Sequence, residues 1–174
     1  MTENELYDIL DSWENIEFVC KQIINNPKEF EVLLSLALNN PKQRSWRAAY
    51  LVDKIHDESP ETVRPYLPLI IEKLKTEKND SKRRHWLKLI GMNAIEESYF
   101  GFLFDYCIDV FTSGKEAVAV RVHAMQILYN ISDKEPDLKP EVLQIIEHEL
   151  EQNPTAGIRS RGRKLAGKLR KQTQ

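Results

Sequence analysis

The helical segments of this chain repeat with a period of 38 residues, and this repeat constrains the architecture more than any other sequence feature. The segment that begins at Ser45 aligns without a gap with those that begin at Arg83, Arg121 and Arg159. The alignment gives four largely apolar columns: Leu51, Leu89, Ile127 and Leu165; Val52, Ile90, Leu128 and Ala166; Ala48, Trp86, Ala124 and Gly162; and Ile55, Asn93, Ile131 and Leu169. Periods of this length are typical of solenoids, in which supersecondary units stack and function resides in an extended surface.

Apolar spacing and capping signals predict that the chain is all-α. In the segment from Ser45, apolar residues recur at 48, 51, 52 and 55, the spacing of one helix face. Asn-Pro or Ser-Pro dipeptides at 26, 40, 59 and 153 are typical of helix starts. We predict first helices over 41–56, 81–93, 115–131 and 155–172, second helices over 60–76, 97–112 and 137–152, and N-terminal helices near 3–10, 13–25 and 28–38.

Residues 1–174 are predicted to form a single α-solenoid domain. Three 38-residue helix-pair repeats are expected over 41–154, and a basic capping helix over 155–174. Residues 1–40 match the repeat poorly, as expected for N-terminal capping helices, since an end unit has only one neighbour.

One segment carries a more specific resemblance. Val120-Arg121-Val122-His123-Ala124 begins a helix with an apolar residue, an arginine, two further residues and a small residue, and Ile158-Arg159-Ser160-Arg161-Gly162 repeats this pattern. Over about residues 41–172 the chain therefore resembles the HEAT-like, armadillo-type, α-helical repeat proteins. The resemblance implies a right-handed α-α superhelix of about four helix pairs. It also implies a chiefly structural role for the shared arginine, found here as Arg83, Arg121 and Arg159.

Two departures from the HEAT pattern bear on the regularity of the middle repeats. Arg44-Ser45 replaces the apolar-arginine pair in one repeat, and Trp86 fills a column that prefers a small residue.

The charged residues of the chain fall into four blocks. Residues 1–40 contain eight acidic and two basic residues, and 96–153 contain twelve acidic and four basic residues. By contrast, 41–95 contain twelve basic and seven acidic residues, and 154–174 contain seven basic residues and no acid. Such blocks are commonly solvated faces, but they can also steer a charged partner or bring the tail of one copy to the acidic block of another.

The cysteines and the N-terminus indicate a cytoplasmic protein. Cys20 and Cys107 are the only cysteines, and neither has the spacing of a metal or redox motif, so we expect buried reduced thiols. The first residues lack the basic start and apolar core of a signal peptide, and no apolar run is long enough for a membrane span.

The helix predicted over 97–112 provides the candidate partner-binding residues. Phe100, Leu103, Phe104, Cys107, Ile108 and Phe111 form one apolar face, and Tyr99, Phe102, Tyr106 and Val110 form a second face beside it. In a strict 38-residue register the second face is exposed. In a register one residue shorter, Tyr106 aligns with Leu69 and Ile145 and is partly buried. We predict a protein or peptide site at Tyr99, Phe102 and Tyr106, flanked by Arg64 and Gln144.

A basic column next to the small-residue column is the candidate anion-binding site. It consists of Arg47, His85, His123 and Arg161, to which Arg83 and Arg163 are added. These side chains can simply cover the edge of the core with solvated tips. Alternatively, they can bind nucleic acid or an acidic protein segment.

No motif indicates an enzyme, a metal or a cofactor. The four histidines are scattered, and phosphate loops, nucleophile elbows and Cys-His pairs are absent from the sequence. The sequence therefore predicts a non-enzymatic interaction or scaffold module. The alternative is a nucleic-acid-binding HEAT-like protein, including a relative of the alkylpurine DNA glycosylases. Those enzymes use tryptophans, an aspartate and a basic groove, and comparable residue types here are Trp46, Trp86, Asp53, Arg47 and Arg83.

Overall fold

The computed structural model describes all 174 residues and contains eleven α-helices joined by short turns. The helices are α1 (Glu3–Ser12), α2 (Ile16–Ile24), α3 (Pro27–Asn39), α4 (Trp46–Glu58), α5 (Pro60–Val63), α6 (Leu67–Leu74), α7 (Asp80–Gly91), α8 (Phe100–Thr112), α9 (Val118–Lys134), α10 (Lys139–Gln152) and α11 (Ala156–Gln172). Single 3₁₀ turns precede α4, α6, α8 and α10. The all-α, HEAT-like solenoid class predicted from the repeat is confirmed.

Contacts divide the chain into two compact units, Met1–Leu89 and Ile90–Gln174. In the first unit α3 packs against α4, and α1 and α2 each pack against both of these helices. In the second unit α9 packs against α8, α10 and α11, and α10 also packs against α11. Within each unit, helices close in the chain therefore pack against one another, as the stacked helix pairs of a solenoid do.

The repeat columns coincide with the buried core. Every residue in the columns of Leu51, Val52 and Ala48 is buried, including Trp86 in place of a small residue. The fourth column, that of Ile55, contains one residue that is not buried. Asn93 is partly exposed, because α7 ends at Gly91 and Asn93 lies beyond it.

Prolines change the second helix of the first repeat. The helix predicted over 60–76 is divided into α5, a 3₁₀ turn at Arg64–Tyr66, and α6. Pro65 lies within the turn, and Pro68 lies in the first turn of α6. Proline lacks the N–H that a helix interior requires, so one continuous helix over this range is excluded.

Two of the four Asn-Pro or Ser-Pro dipeptides do not lie directly at the start of an α-helix, where they were expected. Asn26 does cap α3, since its side chain accepts a hydrogen bond from the Glu29 N–H, and Pro60 begins α5. However, Asn40-Pro41 precedes a 3₁₀ turn, and α4 begins only at Trp46. The cap of α11 is Thr155, whose hydroxyl accepts from the Ile158 N–H, rather than Asn153.

No α-helix of the protein is both long enough and apolar enough to cross a bilayer. Cys20 and Cys107 are buried, unpaired thiols, as predicted.

Candidate interaction site

The burial of α8 distinguishes between the two registers considered for this helix. Leu103, Cys107 and Phe111 are buried, whereas Asp105 and Thr112 are exposed, which is the pattern of the register one residue short. The three predicted partner-binding aromatics, Tyr99, Phe102 and Tyr106, are each partly exposed. The centroids of the Phe102 and Tyr106 rings lie 5.6 Å apart with the planes tilted by 46°. We call these three residues the α8 aromatic surface.

The predicted flanking residues lie in different compact units. Arg64 is exposed in the 3₁₀ turn before α6 in the first unit, and Gln144 is exposed on α10 in the second. Their participation in a partner site together with the α8 aromatic surface stays a prediction.

In the first unit, Arg47 binds the end of another helix instead of standing free in solvent. Its Nη1 donates to the carbonyl oxygens of Leu10 and Asp11, over 2.9 and 2.7 Å. These carbonyls belong to the last turn of α1, where unsatisfied oxygens and the helix dipole favour a cation. The guanidinium of Arg47 therefore joins α4 to α1.

His85 is buried in the first unit and binds Asp53. Its Nδ1 lies 2.7 Å from Asp53 Oδ2, and Lys88 Nζ donates to Asp53 Oδ1 over the same distance. Burial raises the pKa of Asp53, but the hydrogen bonds from His85 and Lys88 outweigh this effect and hold the pKa below its ordinary value. His85 is therefore not placed to contact an anion at the surface.

Three of the five residues that matched a glycosylase by type, Trp86, Asp53 and Arg83, are buried in the structure. Trp86 is completely buried, so its ring cannot stack on a nucleobase, and Asp53 is hydrogen-bonded to His85 and paired with Lys88. Arg83 is also buried, and its Nη1 lies 3.0 Å from Asp80 Oδ1.

In the second unit, Arg161 joins α11 to α9. Its Nη1 donates to Gln126 Oε1 over 2.6 Å, Gln126 Nε2 donates to Asn130 Oδ1, and Asn130 Nδ2 donates to the Gly91 carbonyl. His123 is partly exposed on α9, and Arg163 is exposed on α11. The basic column is therefore not uniform, because Arg47 and Arg161 make helix-to-helix hydrogen bonds and His85 is buried.

The structure also contains an aromatic cluster that joins residues distant in the sequence, which share no sequence pattern. Trp13 follows α1 with a left-handed backbone (φ 61°), and its side chain is 37% exposed. Its ring centroid lies 6.3 Å from that of Trp46 and 5.4 Å from that of Tyr50. The guanidinium carbon of Arg47 lies 4.9 Å from the Trp13 ring centroid. We call Trp13, Trp46, Arg47 and Tyr50 the tryptophan surface.

The turn that carries Trp13 has an unusual backbone. Both Trp13 and Asn15 have positive φ, at 61° and 53°, and they are the only non-glycine residues of the chain in this region. A bulky side chain there is strained, and such strain persists only where surrounding contacts impose it. Trp13 is the C-cap of α1, where its N–H donates to the Ile9 carbonyl oxygen, and its ring contacts two rings and the guanidinium of α4.

Comparison with known proteins identifies the family. The profile described as HEAT repeat domain matches residues 3–169, and the match therefore includes the N-terminal helices that the 38-residue alignment left out. No curated protein and no solved structure matches the chain significantly. The repeat columns, the stacked helix pairs within each unit and a match over nearly the full length agree: the chain belongs to the HEAT repeat domain family.

Proposed function

We propose that this HEAT repeat protein is a non-enzymatic interaction or scaffold module that binds another protein through the tryptophan surface. HEAT repeats generally mediate protein interactions, and a helical solenoid presents side chains on a rigid, extended surface. The observation that carries the proposal is the position of Trp13, which is partly exposed although three side chains of α4 hold it.

The composition of the tryptophan surface is that of an interaction hot spot. Tryptophan, tyrosine and arginine are the residue types that most often carry binding energy in protein interfaces. Arg47 is held by two carbonyls of α1, and Trp13 by neighbouring rings, so a partner would order few side chains on binding. A preorganised surface of this kind loses little conformational entropy on association.

The chemistry of the surface favours an apolar group of the partner. The Arg47 guanidinium contacts the face of Trp13 and donates to backbone carbonyls, while Arg44 is paired with Asp11 at 2.8 Å. The exposed part of the Trp13 indole therefore offers mainly apolar area. This area suits a pocket of the partner that is lined by aliphatic or aromatic side chains.

The α8 aromatic surface is the second proposed contact, and the cytoplasm is the proposed location. Tyr99, Phe102 and Tyr106 are partly exposed, and two of their rings contact each other. If both surfaces bind the same partner, substitutions in either one will weaken the same complex.

The test is an affinity capture from lysate treated with nuclease, followed by binding measurements with the purified partner. Trp13→Ala is expected to reduce affinity for that partner at least about tenfold, the usual scale of a hot-spot residue. Phe18→Ala is the matched control, because Phe18 is an exposed aromatic of the same unit that belongs to neither surface. A partner that binds wild type, Trp13→Ala and the Tyr99→Ser/Tyr106→Ser variant equally would contradict both assignments.

Nucleic-acid binding is the second candidate function, favoured by the outer face of α11. Arg159, Arg163, Lys164, Lys168, Arg170 and Lys171 are all exposed on this helix, and residues 154–174 include no acid. Binding through these residues would weaken steeply as salt increases, because phosphate contacts release counterions. A titration of duplex DNA at two salt concentrations tests it, and affinity that is equal for wild type and Arg163→Ala/Lys164→Ala would exclude this face.

The same basic face supports a proposal of self-association with the acidic residues of another copy's N-terminal helices. Light scattering at low and high salt tests this proposal, and a monomer under both conditions would rule it out.

A further inference from the structure

A small polar cavity in the first unit contains a buried ammonium group. Lys82, in the first turn of α7, is only 4% exposed. Its Nζ donates to the Asn40 carbonyl oxygen over 3.1 Å, and no carboxylate lies within ion-pairing distance of it. An ammonium group has three N–H donors, so two are not used by the protein. A buried charge without a counter-charge is costly, and proteins normally pair it.

The cavity beside Lys82 has a volume of about 170 Å³ and is lined by three lysines and one carboxylate. The lysines are Lys42, Lys73 and Lys82, and the carboxylate is that of Glu77. The Lys42 ammonium lies over the Tyr7 ring, 4.2 Å from its centroid, so Lys73 and Lys82 supply the charge that faces the cavity. Glu77 Oε1 already accepts hydrogen bonds from the N–H groups of Lys78 and Asn79, at 3.1 and 3.0 Å. The Glu77 side chain therefore supports the turn before α7, and the lining as a whole carries an excess of positive charge.

The neutral groups around the cavity hold the Lys82 amine in place. The Asn40 carbonyl that accepts from Lys82 also accepts from the Ser45 hydroxyl, over 2.8 Å. The Asn79 side chain accepts from the backbone N–H of Lys82, over 3.1 Å, and caps the first turn of α7. These bonds fix the backbone at both sides of the cavity before any ligand binds, so the site is preorganised.

We propose that this cavity binds a phosphate-class oxyanion, either inorganic phosphate or the phosphate group of a monoester, with Lys82 as its central ligand. A tetrahedral dianion supplies several acceptor oxygens for the unused donors of Lys82 and for the ammonium group of Lys73.

The electrostatics of Lys82 are consistent with a site that an anion completes. Burial lowers the pKa of Lys82, partly offset by the attraction of the Glu77 carboxylate, and Lys73 lowers it further. A bound dianion reverses this imbalance, because it favours the charged form of Lys82.

The test is a titration of the isotopically labelled protein with inorganic phosphate, followed by amide NMR at constant ionic strength. Saturable shifts are expected at Asn40, Ser45, Asn79 and Lys82. Lys82→Met should weaken phosphate binding about ten- to hundredfold, the effect of losing a charge-assisted hydrogen bond. Lys78→Met, which removes an exposed lysine of the same turn, is the matched control and should leave the affinity unchanged.

Titrations with other anions identify the ligand, and a second variant covers the case in which Lys82→Met does not fold. A monoester such as phenyl phosphate that binds more tightly than inorganic phosphate would assign the site to a substituted phosphate, and the reverse order would assign it to the free ion. Acetate that binds as tightly as phosphate would overturn the proposal. Amide chemical-shift changes in phosphate that are no larger than those in chloride would also overturn it. So would equal phosphate affinity for wild type and Lys82→Met. If Lys82→Met does not fold, Lys73→Met provides the same test. A phosphate affinity of Lys73→Met equal to that of wild type would then overturn the proposal.

Discussion

Arg121 and Glu149 form a buried ion pair between α9 and α10. Arg121 Nη2 lies 2.8 Å from Glu149 Oε2, and both side chains are 3% exposed. Arg121 Nε also donates to the Phe111 carbonyl oxygen near the end of α8, over 2.9 Å. One arginine thus connects three consecutive helices, which confirms at this position the structural role implied by the resemblance to HEAT repeats.

Removing one partner of this pair should destabilise the protein strongly. Glu149→Gln leaves the Arg121 charge buried without a counter-charge, so we expect the free energy of unfolding to fall by about 3–5 kcal/mol. Denaturant unfolding measures the change. The control is Glu147→Gln on the same helix, because Glu147 pairs with Arg170 at the surface, where a pair contributes about 0–1 kcal/mol. Equal losses for the two variants would contradict this interpretation.

The pair can also be tested by replacing both members. Apolar residues often substitute for a buried ion pair at little net cost, since the desolvation penalty disappears together with the attraction. Arg121→Met/Glu149→Leu should therefore lose less stability than the sum of the two single variants. An additive loss would show that the two side chains act independently.

Two glycines of α11 should respond differently to alanine. A methyl group added at Gly167 meets no atom within 4 Å, so Gly167→Ala should raise the free energy of unfolding by about 0.5–1 kcal/mol through helix propensity. At Gly162 the same group would lie 3.0 Å from Leu150 Cδ2. Gly162→Ala should therefore gain less than Gly167→Ala or lose stability, as thermal unfolding of the two variants will show. A larger gain at Gly162 would contradict the close packing of α11 on α10.

The sequence predicted the core well because burial follows helical periodicity. Leu51, Leu89, Ile127 and Leu165 are buried at every repeat, since one face of each first helix meets its neighbours. The register of α8 stayed open because its two apolar faces are adjacent, and only packing distinguishes them. Helix ends were less predictable, because Pro65 and Gly91 interrupt elements whose periodicity continues beyond them.

The contacts of the candidate site were less predictable, because they join residues distant in the sequence. Trp13 contacts Trp46 and Tyr50 only because α1 packs on α4, and no local pattern places an exposed tryptophan there. Arg47 and His85 occupy the same column, but the first meets carbonyl groups and the second meets a carboxylate. A periodic alignment identifies the face on which a side chain lies, but not the group that it meets.

Both thiols should be unreactive while the protein is folded. Burial raises the pKa of Cys107 far above its ordinary value, and burial together with the nearby Glu58 carboxylate raises that of Cys20. The thiolate is the reactive form, so alkylation by iodoacetamide should be at least about a hundredfold slower than in urea. Mass spectrometry of the intact protein counts the modified sites. Rapid labelling of either cysteine under native conditions would contradict its burial.

The network of Asp53, His85 and Lys88 should make stability depend on pH. The pKa of Asp53 lies below its ordinary value of 3.8, so its stabilisation is complete above that pH and is lost as the pH falls through the folded-state value. Asp53→Asn should therefore lower the free energy of unfolding by about 1–3 kcal/mol near neutral pH and by progressively less in acid. Asp105→Asn, on the exposed side of α8, is the control and should change it by less than about 0.5 kcal/mol. Urea unfolding of wild type and both variants across the acidic range measures these differences. If the free energy of unfolding of Asp53→Asn lies below that of wild type by the same amount at every pH, the Asp53 charge contributes nothing.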